Sequence, residues 1–255
     1  MRYALFSDVH ANLPALEAVL ADIARRPGID AVHHLGDLVG YAPWPNETVA
    51  LIRERGIAGI AGNYDSTVGM AYKHCGCRYE DAEQERLSHE SFGWTLTHVS
   101  DATRRYLAEL PYRLDIRTGG GHQAGPTVML VHGTPTLNTV YWTRDRADGF
   151  ATQMAAVAGA RSGDVIAFGH THVPWSRSVD GIHFVNTGSV GRPKDGDWRA
   201  GYVLLDVEPG RAVVDVVRVE YDIDRAVAGI RASALPVAFA DYLRTGGRPP
   251  AMTTT

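Results

Sequence analysis

Seven side chains with metal-binding potential lie just beyond apolar segments that resemble buried strands. They are two carboxylates, one carboxamide and four imidazoles: Asp8, His10, Asp37, Asn63, His132, His170 and His172. Carboxylate oxygens and neutral imidazole nitrogens suit manganese, iron, nickel or zinc, and no soft thiolate set accompanies them. Seven protein ligands are too many for one catalytic ion, which must keep a position open for water. The set suits two divalent metal ions bridged by one carboxylate.

The elements that must position these side chains alternate between strand and helix in the N-terminal half. Strands are predicted over 3–6, 30–35 and 57–61, with helices over 14–26 and 45–55. This alternation implies right-handed crossovers and a largely parallel sheet. Because ligands collect at the carboxyl ends of strands in open α/β folds, we expect the seven side chains on one rim.

The remainder of the chain mixes helix and short strands. We expect a helical insertion or cap over about 66–110 and a single domain over 1–235, followed by a C-terminal extension over 236–255 whose end is flexible. The other predicted elements are strands at 112–117, 127–131, 165–168 and 182–185, a hairpin at 202–206 and 212–219, and helices at 145–160 and 222–234.

Small residues and spacing support a compact site. Gly36, Gly62 and Gly169 each precede a candidate ligand, and glycine permits tight turns and close backbone approach. His170 and His172 stand two residues apart, so in extended chain they point the same way.

The composition of the 255-residue chain excludes several classes of protein. Hydrophobic residues make up 45% and charged residues 21%, which is typical of a globular protein. The net charge of −4 disfavours general nucleic-acid binding, although two bound divalent ions would still attract one phosphate. Without a signal peptide or an 18-residue apolar stretch, we expect a cytoplasmic protein that does not enter a membrane. Cys75 and Cys77, separated by one residue, are expected to make a poor disulfide pair.

The ordered motifs Asp8-x-His10, Gly36-Asp37, Gly62-Asn63, His132 and Gly169-His170-x-His172 resemble those of the calcineurin-like metallophosphoesterase superfamily. The small prokaryotic phosphodiesterase-like branch is most similar, through Ser7-Asp-Val-His-Ala-Asn-Leu-Pro-Ala-Leu16 and Asn186-Thr-Gly-Ser-Val-Gly191. The resemblance spans residues 2 to about 206. It implies an α/β fold in four layers, a sandwich of two mixed β-sheets flanked by helices. It also implies that Asp37 bridges two metals, one held by Asp8, His10 and His172 and the other by Asn63, His132 and His170.

The activity implied by the resemblance is hydrolysis of a small phosphate ester, with a phosphodiester favoured, by in-line attack of a metal-bound hydroxide. No protein nucleophile is required, and the sequence has neither a Gly-x-Ser-x-Gly elbow nor a P-loop. Alternatives are a phosphomonoesterase or protein phosphatase and a dinucleotide polyphosphate hydrolase. A non-catalytic metal-binding scaffold is the alternative of another class, and a homo-oligomer stays open.

One catalytic position departs from the family pattern. The family usually has a histidine after Gly-Asn that helps to protonate the leaving group, whereas this sequence has Tyr64 after Asn63. A tyrosine, with an ordinary pKa of about 10, gives up a proton less readily than a histidine near 6.5. Either another group protonates the leaving oxygen, such as His74 or Tyr64 itself, or the substrate has a good leaving group that needs little help.

Three further residues are candidates for substrate binding, each with a plainer alternative. Asn12 could reach a phosphate oxygen or cap the helix that starts near Pro14. Tyr141 could stack on a base or pack in the core. Arg192 could meet a phosphate or lie on a solvated loop.

Overall fold

The computed structural model describes residues 1–77, 81–119 and 125–248, which contain two mixed five-stranded sheets. The first sheet has the order β10-β9-β1-β2-β3. Its strands are β1 (Arg2–Phe6), β2 (Ala31–His34), β3 (Ala58–Gly59), β9 (Ala200–Glu208) and β10 (Arg211–Val219). The second sheet has the order β4-β5-β6-β8-β7. Its strands are β4 (Leu114–Arg117), β5 (Thr127–Leu130), β6 (Val165–Phe168), β7 (Trp175–Val179) and β8 (Ile182–Asn186).

Each sheet has a parallel centre. β1, β2 and β3 run parallel, as do β5, β6 and β8, while β9 and β10 extend the first sheet and β4 and β7 flank the second in antiparallel pairing. All four residues of β6 are buried, as its continuous apolar sequence predicts for a strand covered on both faces. The parallel strands therefore deliver the loops that follow them to one end of each sheet.

Helices cover the outer faces of the sheets. They are α1 (Leu13–Arg25), α2 (Pro45–Glu54), α3 (Asn63–Gly69), α4 (Ala82–His98), α5 (Asp101–Glu109), α6 (Asp148–Ala158), α7 (Ile223–Ala232) and α8 (Ala238–Arg244). On α1 the apolar spacing predicted from sequence holds, since Leu16, Val19 and Ile23 are buried. In the region where a helical insertion was predicted, the structure has α3, α4 and α5. No helix in the described ranges is long and apolar enough to span a bilayer.

Three apolar clusters separate the layers. The cluster containing Leu5, Leu130 and Val203 lies between the two sheets. A second cluster joins the first sheet to α1, α2, α7 and α8, and a third joins the second sheet to α6 around Trp142. This arrangement confirms the predicted four-layer sandwich of two mixed sheets flanked by helices.

Local departures from the sequence predictions have physical causes. β3 is shorter than the predicted 57–61 strand, because the N–H of Ile57 still donates to Ile52 at the end of α2; Ile60 donates to His34 of β2, and Ala61 donates to Pro111. Helix α8 was not predicted, yet Phe239 and Leu243 are buried in the core. Of the predicted flexible end at 245–255, residues 249–255 lie outside the described residues.

Cys75 and Cys77, expected to make a poor disulfide pair, are joined in a disulfide. The intervening Gly76 has a φ of +71°, which turns the chain back and places the two Cα atoms 5.4 Å apart. That separation lies within the range that a disulfide spans.

Candidate metal centre

The seven candidate ligands meet at one end of the two sheets. Their side chains come from the loops after β1, β2, β5 and β6 and from the first residue of α3, and every one of these residues is buried. Six of them form two clusters of potential ligand atoms, Asp8 with His10 and His172, and Asp37 with His132 and His170.

The first cluster has its donor atoms in mutual contact. The Nε2 atom of His172 lies 3.2 Å from Oδ1 of Asp8 and 3.2 Å from Nε2 of His10. The Nε2 atom of His10 is 3.7 Å from the same Asp8 oxygen. One carboxylate oxygen and two ring nitrogens therefore face a common point.

The second cluster adds the amide of Asn63. The Nε2 atom of His132 lies 3.4 Å from Oδ2 of Asp37 and 3.2 Å from Oδ1 of Asn63. Asp37 also reaches the first cluster, because its Oδ2 lies 3.8 Å from Nε2 of His10. Asp37 therefore reaches both groups of ligands, and Oδ1 of Asp8 also lies 3.9 Å from Nε2 of His132.

Each carboxylate is anchored through one oxygen and presents the other. Oδ2 of Asp8 accepts hydrogen bonds from the hydroxyl of Ser7 at 2.5 Å and from the backbone N–H of His170 at 2.9 Å. Oδ1 of Asp37 accepts one from the backbone N–H of Tyr64 at 2.8 Å. The remaining oxygens are thus held towards the centre of the site.

Backbone carbonyls orient three of the imidazoles. Nδ1 of His10 donates to Val39, Nδ1 of His132 to Leu35, and Nδ1 of His172 to Arg192, over 3.1, 2.7 and 2.6 Å respectively. A hydrogen bond of this kind fixes the tautomer and directs the unprotonated Nε2 to a metal.

The loops that carry the ligands adopt uncommon backbone conformations. Positive φ angles between 49° and 66° occur at five ligands: Asp8, His10, Asp37, His170 and His172. Such angles are uncommon for residues other than glycine, and clusters of them mark functional sites.

The predicted close approach at the glycines is confirmed. A Cβ on Gly36 would meet the backbone of Gly62, and a Cβ on Gly169 would meet the side chains of Ser7 and Asp8. These glycines therefore allow the strand-end loops to pack against one another.

Burial and mutual charge set the protonation of the site. Burial lowers the pKa of His10, His170 and His172, which favours the neutral form that binds metal. Burial also opposes a charge on His132, but the Asp37 carboxylate outweighs it and raises the pKa of His132 to about 10, so without a metal this imidazole is protonated and must release a proton to bind one. For Asp8, burial would raise the pKa, but the neighbouring histidines, His172 first, lower it below its usual range.

The donor set fits divalent cations. Oδ1 of Asp8 and Nε2 of His170 are buried without a hydrogen-bond partner in the described structure. Oδ1 of Asn63 faces only acceptors, including a ring nitrogen of His170 and the Asp37 carboxylate, while its Nδ2 points away towards Cys75 and Cys77. A buried oxygen directed at other acceptors is stabilised when a cation lies among them.

The two candidates for a leaving-group acid occupy different surroundings. Tyr64 is 1% exposed, and its ring packs against those of His10, Tyr41 and Phe92 with centroids 5.0 to 5.6 Å away. His74 lies on an exposed stretch of chain before Cys75.

The candidate substrate residues differ in their placement. Asn12 caps α1 by accepting from the N–H of Ala15, and its amide donates to the carbonyl of Gly191, so its polar atoms are engaged within the protein. Tyr141 lies beside the second cluster, with its ring centroid 4.3 Å from that of His170. Arg192 is only 8% exposed, so its predicted alternative as part of a solvated loop is wrong.

Two supporting residues were missed in the sequence. Ser7 holds Asp8, and Asp65 accepts from the backbone N–H groups of Leu38 and Gly62, tying the loop after β2 to the start of α3. Burial and then the Asp37 charge raise the pKa of Asp65 to about 7. The signal available for Asp65 was an acidic residue at the third position of a helix.

Comparison with known proteins gives consistent results. The chain is 31% identical, over 95% of its length, to an uncharacterized protein of Methanocaldococcus jannaschii, of which 97% is covered. It is 31% identical to a metallophosphoesterase from Sphaerobacter thermophilus of known structure, with 96% of this chain and 100% of that chain covered and a TM-score of 0.72. It is also 25% identical to the phosphodiesterase YfcE of Escherichia coli, over 81% of this chain and 88% of that protein.

Residues 1–210 match the calcineurin-like phosphoesterase superfamily domain. This match covers the strands and loops that supply all seven candidate ligands, in the order in which the motifs predicted them. The chain therefore belongs to the calcineurin-like phosphoesterase superfamily.

Proposed function

We propose that this metal-dependent phosphoester hydrolase binds two divalent ions and hydrolyses a small phosphate ester, with a phosphodiester favoured. The observation that carries the proposal is the position of Asp37 between two clusters of buried ligands, with its Oδ2 3.8 Å from His10 and 3.4 Å from His132. The first ion would be held by Asp8, His10 and His172, and the second by Asn63, His132 and His170.

When bound, two such ions supply an activated water and positive charge that stabilises the phosphoryl oxygens in the transition state. The chain supplies the rigidity of the site. Ser7 and the N–H of Tyr64 hold the carboxylates, backbone carbonyls hold the imidazoles, and burial excludes bulk water. Preorganised groups of this kind lower the reorganisation needed during the reaction.

The surroundings of Tyr64 bear on the leaving group. Its ring is enclosed by His10, Tyr41 and Phe92, and His74 is exposed. This placement favours the alternative in which the substrate carries a good leaving group and needs little protonation. Tyr64 and His74 stay the two candidates for the group that would protonate a poorer leaving group.

The experiment compares hydrolysis by the metal-supplemented wild type, Asp37→Ala and Asp206→Ala across monoesters, diesters, cyclic nucleotides and dinucleotide polyphosphates. Asp206 is a half-exposed carboxylate near Arg2 and serves as the matched control. We expect the wild type and the control to hydrolyse the same substrates. The hydrolysis rate of Asp37→Ala should be at least a hundredfold lower.

Two results would overturn the proposal. One is a metal-loaded wild type that hydrolyses nothing on the panel, which would indicate a metal-binding scaffold. The other is equal activity in Asp37→Ala and the wild type.

A further inference from the structure

Arg192 is a buried arginine whose guanidinium lies between two aromatic rings. Its Cζ atom is 4.0 Å from the ring centroid of Tyr41 and 5.4 Å from that of Phe239 on α8. A guanidinium over an aromatic face is attracted by the ring quadrupole, and flanking rings restrict its rotation. The side chain is therefore held in place rather than free in solvent.

The guanidinium of Arg192 has no carboxylate or carbonyl acceptor among the described residues. Other part-buried arginines do have acceptors: Arg218 pairs with Asp195, and Arg104 donates to the carbonyls of Val68 and Leu96. A guanidinium carries five N–H donors. The nitrogens of Arg192 are not among the fully buried atoms that lack a partner in the described structure, so its donors are accessible rather than sealed in the core. The arrangement suits an acceptor that arrives with a ligand.

The position of Arg192 connects it to the metal centre without placing it among the ligands. Its backbone carbonyl accepts the Nδ1 hydrogen bond of His172. The Tyr41 ring that its guanidinium covers lies 4.8 Å from the ring of His10, centroid to centroid. His10, Tyr41, Arg192 and Phe239 line one small cavity.

We propose that Arg192 binds a second phosphate of the substrate, next to the phosphate that is hydrolysed. The Tyr41 ring contacts both the guanidinium and His10, which places Arg192 beside the metal ligands rather than among them. Its planar fork of donors matches two oxygens of a phosphate. The substrate class is therefore an ester or anhydride with two adjacent phosphates, and this inference rests on the proposed function.

The second part of the proposal gives α8 a role in the site. Phe239 is 2% exposed and packs edge-to-face on Tyr41, with centroids 5.1 Å apart, while also flanking the guanidinium. We assign Phe239 as a positioning residue that acts through Arg192. The C-terminal extension would thereby help to select the substrate.

The experiment measures binding of adenosine diphosphate and adenosine monophosphate, which differ by one phosphate. Dissociation constants are measured by calorimetry on metal-loaded protein, with metal in excess, and inhibition constants are measured against a substrate found on the panel. We expect the wild type to bind the diphosphate at least tenfold more tightly. Arg192→Met should remove that preference by tenfold to a hundredfold, the effect of a lost charge-assisted hydrogen bond.

The remaining variants separate position from charge. Arg192→Lys keeps the charge without the planar fork and should retain part of the preference. Phe239→Leu should reduce the preference for the diphosphate about threefold to tenfold, while the affinity for the monophosphate changes less. Arg225→Met is the matched control, because Arg225 lies 5.8 Å from the Trp44 ring but has Glu17 as its partner.

An unchanged ratio of the two affinities in folded Arg192→Met overturns the proposal, as does a wild type that binds both nucleotides equally. If Arg192→Met does not fold, an unchanged ratio in both Arg192→Lys and Phe239→Leu overturns it. Hydrolysis of the panel is read separately. A wild type that hydrolyses esters but shows no diphosphate preference refutes this inference and leaves the proposed function standing.

Discussion

The hydrogen bond from Ser7 to Asp8 offers a way to weaken one metal site without removing a ligand. The Ser7 hydroxyl donates to Oδ2 of Asp8 over 2.5 Å, deep in the protein. A hydrogen bond to a charged group contributes about 1.5–3 kcal/mol, and loss of a residue that orients a metal ligand typically costs about 10- to 100-fold in affinity. Because the N–H of His170 still donates to the same oxygen, we expect Ser7→Ala to lower the metal affinity only about tenfold.

The assay is calorimetric titration of metal-free protein with manganese. The weakening should fall mainly on the ion held by Asp8, since Ser7 does not contact the other cluster's carboxylate. Ser233→Ala is the control, because the Ser233 hydroxyl is likewise hydrogen-bonded, to Ile230 and Leu235 at the end of α7 and away from the metal ligands. Equal manganese affinity in Ser7→Ala and the wild type would refute the assigned role of Ser7 in holding Asp8.

Three further outcomes are expected. Gly169→Ala should lower metal content and activity at least tenfold, because its Cβ would displace Asp8. Gly149→Ala is the control, since its Cβ would enter open space and should change neither. Equal metal content in both variants would contradict this expectation. Tyr64→His should raise the turnover of substrates with poor leaving groups, and no change, or a fall with metals retained, would contradict our interpretation of this position. Burial lowers the pKa of His34 to about 3, so it stays neutral in the fold. The free energy of unfolding should therefore not depend on His34 above the unfolded-state pKa of about 6.5, and it should fall as the pH drops from there towards 3. Between pH 7 and pH 5, the free energy of urea unfolding should fall by up to about 2 kcal/mol less in His34→Leu than in the wild type. An equal fall in both proteins would show that His34 is not its source.

The positions of the candidate metal ligands were predictable because their chemistry follows local sequence. Five of the strands, β1, β2, β3, β5 and β6, are followed within a few residues by a carboxylate, amide or imidazole, and parallel strands bring their carboxyl ends to one rim. Glycine before a ligand, as at Gly36 and Gly169, marked the close approaches that the structure contains.

The residues that surround the ligands were less predictable because their roles depend on distant contacts. Ser7 gains its role from an adjacent carboxylate, but Arg192 gains its environment from Tyr41 and from Phe239, more than 40 residues further along. The short helix α8 carries few local signals and is stabilised by burial of its apolar side chains. The left-handed conformation of Asp8 and its neighbours is likewise imposed by packing rather than by residue type.

The number of metal ions bound per chain tests the central claim most directly. Purified protein reconstituted with manganese and freed of excess metal is analysed for metal content, alongside Asp37→Ala treated identically. We predict two ions per wild-type chain and fewer than two in the variant, since Asp37 lies between both clusters. A wild type that holds one ion or none, or a variant that still holds two, would contradict the dinuclear site.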